Sequence, residues 1–355
     1  MQVRIAIVAA AVVTLAGIGG QSAEARALTA VSTSATASHL TSLAALTPAL
    51  TRAGEGSIAA IDWSQSVYIA ATGDSVDVSV STSYPAAADI GQRWADFFAA
   101  LLHGPELASL KVYVAPLDET QSICGSSAVG CYGDDRLVLV NEPALGFDPE
   151  EVARHEYGHH IAQNRLNSPW PAIDWGPKHW ATAADICARV HSGDVFPGDE
   201  FLLYRLNPGE AFAETYRFLM DKEAGQAQPA WPLVDRSFYP DQAELDAVEQ
   251  DVTDPWTGPT TIVFHARLNG VSVWEKSVPT PLDGTMTLSV AGAGGLATRV
   301  ELLAPDGQKV LAAARSLRGG KATAGGQVCG QRSVIALVTA SGAPGRHVEV
   351  RVSLP

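Results

Sequence analysis

Residues 75–83 read SVDVSVSTS, where valine alternates with polar residues in the period of two expected of a strand with one buried face. At residues 86–104, AAADIGQRWADFFAALLHG, apolar positions recur three and four apart, which predicts a helix closed by Gly104 as its C′ residue. KVYVAP from Lys111 and RLVLV from Arg136 to Val140 predict two further strands. The stretch FDPEEVARHEYGHHIAQNRLN opens with dense helix-start chemistry: Asp148 as N-cap, Pro149 at N1, Glu150 in the first turn and Glu151 at N3 as a capping-box partner. On that helix Val152, Tyr157 and Ile161 are predicted to face the core, and His155 and His159 a cleft. A Pro/Trp-rich loop, SPWPAIDWGP, leads into a helix predicted from Lys178 to His191 and closed by Gly193. Asn207 as N-cap, Pro208 at N1 and Glu210 at N3 start another through EAFAETYRFLMDKE, and Asp241 with Glu244 caps one through AELDAVEQD.

The periodicity changes at DPWTGP, residues 254–259, which reads as a stop signal and linker. From there to Pro355 nothing looks helical. Seven short alternating runs separated by Gly and Pro, from TTIVFHARL to RHVEVRVSL, predict a β-sandwich over 259–355, behind a mixed α+β domain over 58–254.

Composition adds limits. The 355 residues, 46% hydrophobic and 17% charged, are enough for two globular domains. MQVR, the apolar run IAIVAAAVVTLAGIGG and the small-x-small site at Ala25-Arg26-Ala27 read as a signal peptide over 1–27, the run being short for a membrane span. The expected destination is secreted and extracellular, with no stable membrane insertion after signal removal. Residues 28–57, rich in Ala, Ser and Thr and without an aromatic, read as a flexible N-terminal segment. A formal charge of −14 disfavours nucleic acid and anionic lipid as partners. In an oxidising compartment the four cysteines favour disulfides. Cys124 and Cys131 bracket a short Gly/Ser loop and are expected to pair. Cys187 and Cys329 then pair by elimination, or remain two separate buried thiols.

The chemistry concentrates in RHEYGHHIAQN, residues 154–164. Four residues apart on a helix, His155 and His159 project from one face, while Glu156 is rotated by roughly 100°. Two neutral imidazoles on one rigid element suit zinc, and the adjacent carboxylate can hold a water against the ion. A third ligand is needed. Glu210 and Glu214 in GEAFAETY have the same spacing, so one carboxylate can bind the metal while the other accepts the outer N–H of a ligand histidine. His160, His179, Asp185 and His191 are rival ligands. Ala162 and Arg165 stand where a metzincin would need glycine and histidine.

H-E-x-x-H followed by a glutamate on a later helix resembles the gluzincin metallopeptidases, and E-x-F-A-E-x-[YF] is most similar to the branch that includes the anthrax lethal factor catalytic domain and secreted peptidases of the HEYGHH type. The resemblance covers about Leu137 to Leu219 and implies a zincin-like fold. It also implies one catalytic Zn²⁺ held by His155, His159 and Glu210, Glu214 orienting a histidine, and Glu156 as general base. A tyrosine or histidine should stabilise the oxyanion: Tyr204 lies one residue from the expected position, and Tyr157 or His179 could serve instead. RLVLV would pair with extended substrate. The expected function is a zinc metallopeptidase acting on extracellular protein or peptide. The alternatives are an amidase acting on cell-wall peptide bonds, or an extracellular binding protein with an inactive zincin domain, its C-terminal domain contacting a surface or polymer.

Overall fold

Val76, Val78 and Val80, the apolar positions of the first alternating run, are fully buried on one face of a strand. In the computed structural model, residues 58–85, 87–268, 271–291, 296–317, 321–342 and 346–355 are described, so the segments expected at 1–27 and 28–57 lie outside the described residues. That strand is β2 (Ser75–Ser81) of a five-stranded sheet ordered β1-β2-β3-β5-β4, with β1 (Trp63–Ile69), β3 (Lys111–Val114), β4 (Gly130–Gly133) and β5 (Arg136–Leu139). The three inner strands are parallel and the two outer ones antiparallel to their neighbours.

Eight α-helices complete this lobe among the described residues: α1 (Ala87–Ala100), α2 (Leu117–Cys124), α3 (Pro149–Gln163), α4 (Ala172–Trp175), α5 (Lys178–Ala183), α6 (Ile186–Ser192), α7 (Pro208–Glu223) and α8 (Gln242–Thr253). Trp94 and Phe98 of α1, Tyr157 and Ile161 of α3, and Phe212 and Tyr216 of α7 share one core with Val112, Leu137 and Leu139 of the sheet. A smaller cluster on Ile123, Ala128 and Val138 surrounds the Cys124–Cys131 disulfide.

Several expectations shift for local reasons. α1 stops at Ala100, and Gly104 is not its C′ residue but the extended N-cap of a 3₁₀ turn at Pro105–Ser109. A residue before proline is pushed out of the helical region. The helix expected over Lys178–His191 is broken into α5 and α6 at Asp185, which sits in the left-handed region at φ 52°. Asp148 caps the N–H of Glu150 instead of forming a box with Glu151, whereas the Asp241–Glu244 box does form. β1, β4 and α2 escaped the pattern. Trp63–Ile69 has no buried alternation, Gly-Cys-Tyr-Gly is too short, and Leu117 follows Pro116, which offers no side-chain cap.

From Thr260 onward there are eight described strands instead of seven: β6 (Thr260–Leu268), β7 (Ser272–Pro279), β8 (Gly284–Ala291), β9 (Leu296–Leu303), β10 (Val310–Ser316), β11 (Ala322–Val328), β12 (Ser333–Gly342) and β13 (Arg346–Leu354). They form two four-stranded antiparallel sheets, β10-β9-β12-β7 and β11-β8-β13-β6. Val300 and Val338 of one sheet and Leu288 and Val352 of the other share a single core. The missed strand is β11, where Gly325 and Gly326 interrupt the alternation; a Cβ at Gly326 would come within 3.1 Å of the Leu311 carbonyl on β10.

The described residues all belong to one compact unit, His39–Pro355, and the β-rich region is fastened to α5 and α6. Cys187 is bonded to Cys329. Lys178 Nζ donates to the carbonyls of Ser168 (2.7 Å) and Asp283 (2.9 Å) and lies 4.4 Å from the Trp256 ring centroid. Arg332 binds Asp283 and the Thr182 carbonyl.

Candidate metal centre

The centre lies where α3 crosses α7. Gly158 faces Ala213 there, and a Cβ on Gly158 would stand 2.7 Å from the Ala213 Cα, so the two backbones approach as only a glycine permits. The crossing brings the His155/His159 pair of α3 onto the Glu210/Glu214 pair of α7. Each helix is started by the predicted cap: Asp148 accepts from the Glu150 N–H, and Asn207 from the Gly209 N–H at 3.0 Å. Because Asn207 caps without Glu210, the Glu210 carboxylate is left to turn toward the histidines.

His155 Nε2 lies 3.2 Å from Glu210 Oε2 and 3.3 Å from His159 Nε2, and His159 Nε2 lies 3.4 Å from Glu210 Oε2. Three donors at the corners of a nearly equilateral triangle are what a tetrahedral zinc ion requires, since bonds of about 2.0–2.1 Å separate its ligand atoms by about 3.3–3.4 Å. The donor set therefore fits the ion. The side chains are buried, and the carboxylates of Glu210 and Glu214 outweigh that burial to raise the His155 pKa to about 10. Burial likewise opposes charge on Glu210, yet the two histidines hold its carboxyl far below the usual value. The cluster thus favours positive charge, which a divalent cation can supply in place of protons.

Glu214 Oε2 lies 3.3 Å from His155 Nδ1, the outer nitrogen, where a carboxylate fixes the tautomer that presents Nε2 to a metal. Arg217 grips the same carboxylate from the far side. Glu156, fully buried, lines a small apolar cavity with His155, Val152, Phe147 and Leu233. The Tyr204 hydroxyl donates to Glu210 Oε2 at 2.6 Å, so the tyrosine named from the resemblance does converge on the cluster.

The alternative assignments separate from it. Tyr157 donates to Glu106 inside the core, and His179 pairs with Asp251 at 2.8 Å, so both are engaged away from the cluster. His191 donates to the Cys187 carbonyl and Asp185 accepts from Arg332. His160 accepts from the Tyr132 hydroxyl and donates to the Glu106 carbonyl, a packing role that holds β4 against α3. His265 and His347 sit on β6 and β13 of the C-terminal sheets. RLVLV is not available to a substrate either. β5 is hydrogen-bonded on both sides, and the outermost strand is β4.

Sequence reasoning missed the residues around the centre. A cleft runs from Tyr132 and Gly133 of β4 past His159 and Glu210 to Asp174 and Glu200. Burial and the charge on Glu210 push the Glu200 carboxyl up to about 8, and burial raises that of Asp174. Asn207 holds Glu200 in place by donating to Oε1 at 2.9 Å. Only Asn207 carried a signal, as a helix cap. Glu200 and Asp174 lie in loop-like sequence with no periodicity to assign them a side.

No protein-family model matches the chain, and no curated protein matches it. Among solved structures, the SPBc2 prophage-derived protein YomS is similar over 28% of this chain and 96% of its own, at 12% identity and a TM-score of 0.22. That likeness is too slight to bear on the fold or the function.

Proposed function

We propose that the protein is a secreted zinc-dependent metallopeptidase with Glu156 as its general base. The observation that supports this reading is the equilateral set of ligand atoms from His155, His159 and Glu210, with Glu156 on the same helix. A zinc ion held by these three residues would lower the pKa of a water toward about 7 and draw charge from a substrate carbonyl. Glu156 takes the proton of the attacking water and returns it to the leaving amine. The Tyr204 O–H, already at the cluster, turns from Glu210 to the carbonyl oxygen as that oxygen gains charge. Glu214 keeps the His155 ring oriented throughout. An extended substrate adds to β4, the outer strand, whose Tyr132 and Gly133 border the cleft. The two disulfides suit an oxidising compartment, and no helix among the described residues is long and apolar enough to cross a membrane.

Casein hydrolysis with and without chelator, beside release of cell-wall fragments, tests the reading. Chelator-sensitive casein cleavage is expected. Fragment release without casein cleavage would make the enzyme a cell-wall amidase. Bound zinc with neither activity would leave an extracellular binding protein, with surface or polymer contact through the C-terminal region.

A further inference from the structure

We propose that Arg217 is a positioning residue for this centre, locking the Glu214 carboxylate and, through it, the ring of His155. The proposal rests on the reading of His155, His159 and Glu210 as a zinc cluster, and concerns how that cluster is held.

Glu210, Glu214, Arg217 and Asp221 stand four, three and four residues apart, so they form one stripe along the face of α7 turned to α3. Arg217 Nε donates to Glu214 Oε2 at 2.9 Å and Nη2 donates to Glu214 Oε1 at 2.6 Å. A carboxylate held at one oxygen can rotate about its Cγ–Cδ bond. Held at both by a planar fork, it cannot. The oxygen shared with Nε is the one 3.3 Å from His155 Nδ1, so the orientation of the fork reaches the ligand ring through a single carboxylate.

The guanidinium is itself immobilised. Its Nη1 donates to Asp221, which also accepts from Arg154 Nη1 at 3.2 Å, and its Nη2 donates to the Ala230 carbonyl. Glu214 and Asp221 are fully buried, and Arg217 and Arg154 balance them one for one. Such an alternation tolerates burial that an isolated charge does not. Arg154 also spans back to Glu150 in the first turn of α3, so the chain of charges starts at the ligand ring and ends at the helix that carries it.

The test uses the full chain and zinc itself. Zinc affinity is measured by chelator competition for wild type, Arg217→Met, Arg217→Lys, Glu214→Gln and the Glu214→Gln/Arg217→Met pair, with thermal melts of the metal-free proteins alongside. Both Arg217 variants should bind zinc about 10- to 100-fold more weakly, the loss usual when a group that orients a metal ligand is removed. Arg217→Lys keeps the buried charge but not the fork, so it should melt closer to wild type than Arg217→Met while still losing affinity. The paired variant should bind no more weakly than Glu214→Gln alone, because Arg217 acts through Glu214. A folded Arg217→Lys protein with wild-type affinity would overturn the proposal, as would full additivity in the pair or failure of both Arg217 variants to fold. Wild-type protein that binds no zinc, or binds it equally after His155→Ala, would instead overturn the reading of the cluster.

Discussion

At the scale of single residues, Glu156 separates catalysis from binding. Its neighbours His155 and His159 supply the ligand atoms, and its own carboxyl is not among the three that converge. Glu156→Gln preserves shape and ligands, so zinc content should stay nearly constant while turnover falls at least about 10²-fold, the lower end of a general base's contribution. Wild-type hydrolysis by a zinc-loaded Glu156→Gln protein would remove Glu156 from the mechanism. Glu210 behaves oppositely, since it is the sole carboxylate in the triangle. Metal analysis of Glu210→Gln should show greatly reduced occupancy. Full occupancy there, with loss instead in His179→Ala or His191→Ala, would move the third ligand away from α7.

At the scale of elements, the α3–α7 crossing sets the ligand distances, and Gly158 sets the crossing. A methyl group at 158 must displace Ala213, because the atoms it meets at 2.7 and 3.0 Å are backbone. Gly158→Ala should therefore destabilise the protein by about 1–3 kcal/mol and weaken zinc binding together. Unchanged melting and unchanged affinity would mean the helices have room to spare. The end of α3 is pinned separately. Arg165 donates to Glu106 at 2.7 Å and to the carbonyls of Asp251 and Val252 on α8, all out of solvent. Burial pushes the Glu106 carboxyl up, but the Gly104 N–H and Arg165 bring it below its ordinary value. A carboxylate lowered on folding adds stability above its unfolded pKa and loses it as the pH falls through the folded one. Glu106→Gln should cost about 3–5 kcal/mol near neutrality, by leaving Arg165 buried and uncompensated, and the gap from wild type should close on acidification. Denaturant titrations at stepwise lower pH measure that gap; one independent of pH would exclude the ion pair as its source.

At the scale of the whole molecule, the disulfide and the Lys178 and Arg332 hydrogen bonds join the β-rich region to α5 and α6. None of its residues belongs to the His155–His159–Glu210 cluster. Its contribution should be to stability. Cys187→Ser with Cys329→Ser should lower stability by about 2–5 kcal/mol with the zinc content unchanged. Non-reducing peptide mapping of wild type should recover Cys187 linked to Cys329, and free thiols at those positions would refute the join.

The sequence alone determined what depends on near neighbours. The caps at Asp148 and Asn207, the same-face pairs on α3 and α7, and the alternating runs of the C-terminal sheets are fixed by helical and strand periods within a few residues. Tertiary structure decided what depends on residues distant in the chain. β1 exists because β2 pairs with it, β11 because β8 does, and β5 is closed to substrate because β4 covers its edge. No local pattern gave Arg154 its partner on Asp221, the Gly158–Ala213 approach, or the carboxylates of Asp174 and Glu200 beside the cluster. Each requires two segments to meet. Periodicity shows which way a side chain points from its own backbone, and only packing shows what it then faces.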